Sequence, residues 1–137
     1  MKWIIATTFL LFSLVLPLQA QGIASAQEIM SAFNGANILI TDNSPTKTIV
    51  ANVHYCTNKE FTMDITETTR SQMGGEQSNS WRVTGIWRLH QQNGYNCIHY
   101  TYDGKPTPHI EPIYKDAQGM LYIHGKEMEK LGIASCN

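Results

Sequence analysis

The chain has 137 residues, 10 Lys and Arg against 11 Asp and Glu, and a formal net charge of −1. No block of like charge stands out, so the sequence supports neither a nucleic-acid partner nor docking on an anionic membrane. That length suits one domain built around one core.

Met1-Lys2 is a short positive start, Trp3 to Leu16 an apolar run, and Pro17 breaks it before small residues. This is the pattern of a secretory signal peptide. Cleavage after Ala20 leaves residues 1–20 as signal and 21–137 as a single β-rich domain; cleavage after Ala26, at Ala24-Ser25-Ala26, is the alternative (1–26). An exported protein, periplasmic or secreted, is expected. No later segment is apolar for long enough to span a bilayer, so no transmembrane span is expected in the mature chain. Ser25-Ala26-Gln27-Glu28 reads as a capping box, followed by Ile29, Met30 and Phe33, with Gly35 as the stop. A short N-terminal helix follows from that pattern. Cleavage after Ala26 would delete a cap worth about 1 kcal/mol, which favours Ala20.

Asn37 to Thr41 is a short apolar strand, and Thr48 to Cys56 the next, with Ile49, Ala51, Val53 and Tyr55 on one face. Glu60 to Thr68 alternates with Phe61, Met63 and Ile65 inward, and Met73 to Ser80 reads as a loop. The central feature runs from Ser80 to Tyr102. Trp81, Val83, Gly85, Trp87 and Leu89 alternate with polar residues, the signature of a half-buried strand. Asn93-Gly94 is a type I′ hairpin signal, since both residues accept positive φ. The two-residue turn sets Leu89 opposite Ile98, Trp87 opposite Tyr100 and Gly85 opposite Tyr102. The other face then carries His90 opposite Cys97 and Arg88 opposite His99. Tyr102 is placed over the bare backbone of Gly85. Pro112 demotes Ile110 to Tyr114 to an edge strand. Met120 to His124 is a last strand, and Lys126 to Leu131 a short helical turn. About seven strands joined by turns point to a mainly β fold. It is expected to be a small antiparallel meander, a partial or closed β-barrel with the N-terminal helix at one end.

The pattern Gly35, Gly85-Ile86-Trp87, Cys97-Ile98-His99-Tyr100 and Asp103-Gly104 resembles a group of small exported bacterial proteins known mainly as domains of unknown function. The likeness spans about residues 26 to 124. It implies a periplasmic β-fold and carries over no catalytic residue. Cys56 and Cys136 depart from the pattern, so no disulfide is implied by it.

Three cysteines, Cys56, Cys97 and Cys136, leave one unpaired in an oxidising compartment. A meander separates the strands of Cys56 and Cys97 by two others, each about 4.8 Å apart. Cys136 is on a mobile tail, which favours Cys97–Cys136. His54-x-Cys56 and Cys97-x-His99, with His90 opposite Cys97, form a candidate zinc or copper ligand set. Cys97 beside His90 and Arg88 is also a candidate thiolate nucleophile. No catalytic residue is assigned and no cofactor is called for, because the sequence carries none of the usual hydrolase, zincin or phosphate-loop motifs. Trp87, Tyr100 and Tyr102 are candidates for a ligand-facing barrel wall. Arg88, His90 and His99 are candidates for an outer-face site, and His109 and His124 read as surface or half-buried strand residues. The favoured function is an exported non-catalytic binding or interaction module for a small apolar ligand or a protein partner. A metal-binding protein and a thiol-dependent enzyme are the alternatives.

Overall fold

The first described residues already belong to the fold. The computed structural model describes residues 22–123 and 126–136; the expected signal segment, residues 1–20, and His124 lie outside them. Strand β1 (Gly22–Ile23) leads into helix α1 (Ala26–Phe33). The Ser25 hydroxyl accepts from the Glu28 N–H while the Glu28 carboxylate accepts from the Ser25 N–H, each 3.1 Å, closing the expected capping box. Gly35, at φ +73°, turns the chain into the sheet.

Eight further strands follow: β2 (Ala36–Asn43), β3 (Lys47–Tyr55), β4 (Glu60–Arg70), β5 (Glu76–Gln92), β6 (Tyr95–Tyr102), β7 (His109–Lys115), β8 (Leu121–Ile123) and β9 (Glu127–Ile133). All pairings are antiparallel, in the order β1-β7-β6-β5-β4-β3-β2-β9, with β8 also on β7. The sheet curls into an open half-barrel rather than a closed one. Asn93 (φ 52°) and Gly94 (φ 81°) make the β5–β6 turn, and the register is the expected one: Gln92 faces Tyr95, Leu89 Ile98, Trp87 Tyr100 and Gly85 Tyr102.

The concave face holds the core. Trp87, Tyr55, Phe33, Ile29, Ile98 and Ile113 are fully buried there. Phe33 meets Tyr55 edge-on at 5.0 Å, and Tyr55 meets Trp87 at 5.5 Å. Such aromatic contacts add about 0.5–1.5 kcal/mol each to area burial. Trp87 Nε1 donates to the Cys56 carbonyl (3.1 Å), and Lys59 Nζ lies 4.5 Å above its ring. Gly85 is required by close approach. A Cβ there would lie 2.0 Å from the Thr101 carbonyl oxygen and 2.9 Å from Phe61. Phe61 and Tyr102, 5.7 Å apart, close over this bare stretch.

The structure corrects three expectations. Lys126 to Leu131 is not helical: Glu127–Ile133 is strand β9, paired with β2. The vacant hydrogen-bonding edge of β2 outweighs the helix propensity of Glu, Lys, Met and Leu. Much of the Met73–Ser80 loop is strand, because β5 stays in register with β4 down to Arg70 opposite Glu76. Ile110 to Tyr114 lies within the strand order, but among the described residues Ile110 to Pro112 pair with β6 alone, so Pro112 does sit on an open edge. Strand β7 pairs with β6 through Pro112 and with β1 and β8 through its last residues. Finally, Cys136 stands at disulfide distance from Cys56, not Cys97, with Cα atoms 6.0 Å apart. Strand β9 runs beside β2, the Ala134 N–H bonds the Gly35 carbonyl, and the Ser135 N–H bonds His54 Nδ1, so the tail ends beside β3. Cys97 is buried and free.

Candidate functional site

Helix α1 covers only part of the concave face. Beyond it, the inward residues of β2, β3 and β4 continue as an apolar floor of Ile40, Ile49, Ala51, Met63 and Ile65. These line a cavity of about 130 Å³ whose walls are Tyr100 and Tyr102 from β6, His109 and Glu111 from β7, and Ile123. Asp42 and Lys126 complete the rim. Alternation produces this arrangement, since every second residue of β2, β3, β4, β6 and β7 points into one hollow.

The rim is electrostatically organised. Glu111 Oε1 accepts from His109 Nε2 (2.6 Å) and from Lys126 Nζ (2.7 Å). Burial opposes the Glu111 charge, but the hydrogen bonds from His109 and Lys126 and their charges outweigh it, holding its carboxyl below the usual carboxylate range. Tyr102 lies parallel to Tyr100 at 6.4 Å and 6.3 Å from the His109 ring. Burial, then the Glu111 charge, pushes its phenol above the ordinary value. Deeper, the Tyr100 and Tyr55 hydroxyls hydrogen-bond each other inside the core.

The residues singled out from sequence fall in three places. Tyr100 and Tyr102 line the cavity; Trp87 does not, being fully buried beside Tyr55. On the convex face, Arg88, His90, Cys97 and His99 are neighbours as the register requires, and the His90 and His99 rings are 5.5 Å apart. That cluster is open only on its β5 side, where Arg88 is exposed and His90 half-buried. His99 is 8% exposed and Cys97 1%. Burial, then the charges of Arg88 and His90, lowers the His99 pKa; burial raises that of the Cys97 thiol. A raised thiol pKa works against a thiolate at neutral pH. His54 and Cys56 are engaged by the C-terminal tail. Among the described residues no three His, Cys, Asp or Glu side chains converge as a metal ligand set. None of the described helices is long and apolar enough to cross a membrane.

Glu111, Lys126 and Asp42 were not singled out from the sequence. His109-x-Glu111 carries a signal, because i, i+2 residues of a strand share a face. Lys126 carries none. It reaches Glu111 through the bridge of Ile123 to Lys126 between β8 and β9. No family model, curated protein or solved structure matches the chain.

Proposed function

We propose that the protein is an exported, non-catalytic binding module whose ligand is a small molecule with an apolar body about the size of one ring and one polar group. The apolar body sits on Ala51, Met63 and Ile65, and the polar group meets Tyr102 and Glu111. The observation that carries this reading is the cavity of about 130 Å³, apolar at its floor and polar at one rim. Dry apolar cavities of roughly 150 Å³ take up benzene, and binding sites commonly combine apolar walls with a few polar groups. Export is supported by the Cys56–Cys136 pair, since disulfides persist in oxidising compartments. Signal removal after Ala20 fits best, because Ala24 is fully buried and its carbonyl accepts from Asn96 Nδ2 (2.9 Å).

Titration of labelled protein with toluene and p-cresol, followed by amide and methyl NMR, tests the proposal. Both should shift Ala51, Met63 and Ile65, with p-cresol binding more tightly. Ala51→Leu should fill the hollow and weaken both at least tenfold. Absence of shifts on the concave face, or unchanged binding by Ala51→Leu, rejects the reading.

A further inference from the structure

Strand β5 is 17 residues long, but its two sides are not equally used. Strand β4 pairs with it from Glu76 to Ile86, whereas β6 pairs only from Gly85 to Gln92. Among the described residues, the stretch from Glu76 to Val83 therefore has a partner on one side only. The direction of its backbone groups is fixed by two bonds. The Trp87 N–H reaches the Lys59 carbonyl next to β4 (2.8 Å), and the Thr84 carbonyl accepts from the Asp103 N–H on the β6 side (2.9 Å). Alternation then points the N–H and C=O groups of Glu76, Ser78, Ser80 and Arg82 outward along the open edge. Among the described residues this edge has no proline, no bulge and no covering helix, devices that usually keep such an edge from pairing. Trp81 projects beside it and is 44% exposed.

We propose that this edge pairs with the same edge of a second copy of the chain, giving a two-fold dimer with one sheet running through both protomers. The sequence is self-complementary in one register. Centred on Asn79 opposite Asn79 of the second copy, the hydrogen-bonded pairs are Ser78 with Ser80 and Glu76 with Arg82, each occurring twice by symmetry. Glu76 and Arg82 share the convex face, so opposite charges meet at both ends of the seam. Arg82 is already held by Asp64 at 2.7 Å, which pre-orders it between two carboxylates. On the concave face Trp81 comes to lie against Gln77 of the second copy, covering its exposed ring. Registers shifted by two residues in either direction lose both charge pairs. Pairing of like edges across a two-fold axis is self-limiting, which distinguishes it from open-ended aggregation.

Sedimentation of the full mature protein, from about 1 µM to about 1 mM, reads the association directly. The wild type should pass from monomer to dimer within that range. Ser80→Pro removes an outward N–H, keeps the backbone ladder to β4 while losing the hydroxyl contact with Thr66, and should leave a monomer throughout. Glu76→Lys, at the first residue of β5 opposite Arg70, should weaken association at least tenfold. The register is read by cysteine pairing. Asn79→Cys should oxidise to a covalent dimer, because directly opposed Cα atoms of a non-hydrogen-bonded pair lie about 4.5 Å apart. Gln77→Cys should not, since its copies are offset along the strands. A wild type that stays monomeric to the highest concentration overturns the proposal. So does a dimer insensitive to both Glu76→Lys and Ser80→Pro, or equal cross-linking at positions 77 and 79.

Discussion

Conversion of Tyr55 and Tyr100 to phenylalanine, singly and together, tests how the core beneath the cavity is held. Their hydroxyls are each other's hydrogen-bond partners, and the two rings are 0% and 2% exposed. Phenylalanine keeps each ring and its contacts with Phe33, Phe61 and Trp87. Only the polar pair is removed. A single replacement strands the remaining hydroxyl in an apolar core, at a cost of about 1–3 kcal/mol. Removal of both leaves no polar group to satisfy, so the double variant should lie within about 1 kcal/mol of wild type. The two single variants should also differ. Tyr100→Phe strands Tyr55, which has no access to the cavity. Tyr55→Phe strands Tyr100, which lines the cavity and gains a water there. Tyr100→Phe should therefore be the more costly. Equilibrium urea unfolding at constant m-value gives the three free energies. Additive costs, agreeing within about 0.5 kcal/mol, would refute the reasoning, as would a double variant less stable than either single one.

Cys136→Ser should lower stability by roughly 4–5 kcal/mol, the chain-entropy value for a cross-link spanning 80 residues; calorimetry checks this, and a loss under about 1 kcal/mol would mean that the pair does not form. In the intact protein, iodoacetamide at neutral pH should leave Cys97 unmodified until denaturant is added, because the thiol is 1% exposed and its pKa is raised by burial; rapid labelling of native protein would contradict it. The Glu111 carboxyl titrates lower in the folded chain than its ordinary value of about 4.3, so its contribution to stability is complete above that value and is lost as pH falls through the lower folded value. Glu111→Gln should flatten the acid limb of a stability–pH curve, and an unchanged slope would show that the pairs with His109 and Lys126 contribute nothing.

What could be read from the chain depended on the range of the interaction that decides each feature. The helix start is set by Ser25 and Glu28, three residues apart, and was legible. So was the β5–β6 register, which Asn93-Gly94 fixes locally and which alternation extends along both strands. Strand β9 was not legible. Lys126-Glu-Met-Glu-Lys-Leu131 has good helix formers, and only the open edge of β2, some ninety residues earlier, makes it a strand. The disulfide followed from that same pairing, which delivers Cys136 to β3. The cavity was half legible. Tyr100 and Tyr102 come from the central hairpin, whereas Lys126 reaches Glu111 only once β8 and β9 have turned across the opening.

The hollow itself follows from a mismatch in length between helix and sheet. Helix α1 has eight residues, about 12 Å of length. Strand β5 alone has 17, close to 57 Å if fully extended. A helix so short shields one stretch of the curled sheet, where Phe33 reaches Tyr55 and Trp87 is sealed beneath the sheet's end. Further along the same strands the inward positions remain apolar, as Ala51, Met63 and Ile65, and α1 does not reach them. Alternation obliges a one-sided sheet to keep this face apolar for as long as the strands run in register. The side chains there are aliphatic, and the large rings of Tyr100 and Tyr102 stand at the wall instead of filling the centre. The placement of Phe33, Tyr55 and Trp87 toward the helix and of aliphatic side chains on the floor beyond it is therefore what keeps the hollow open.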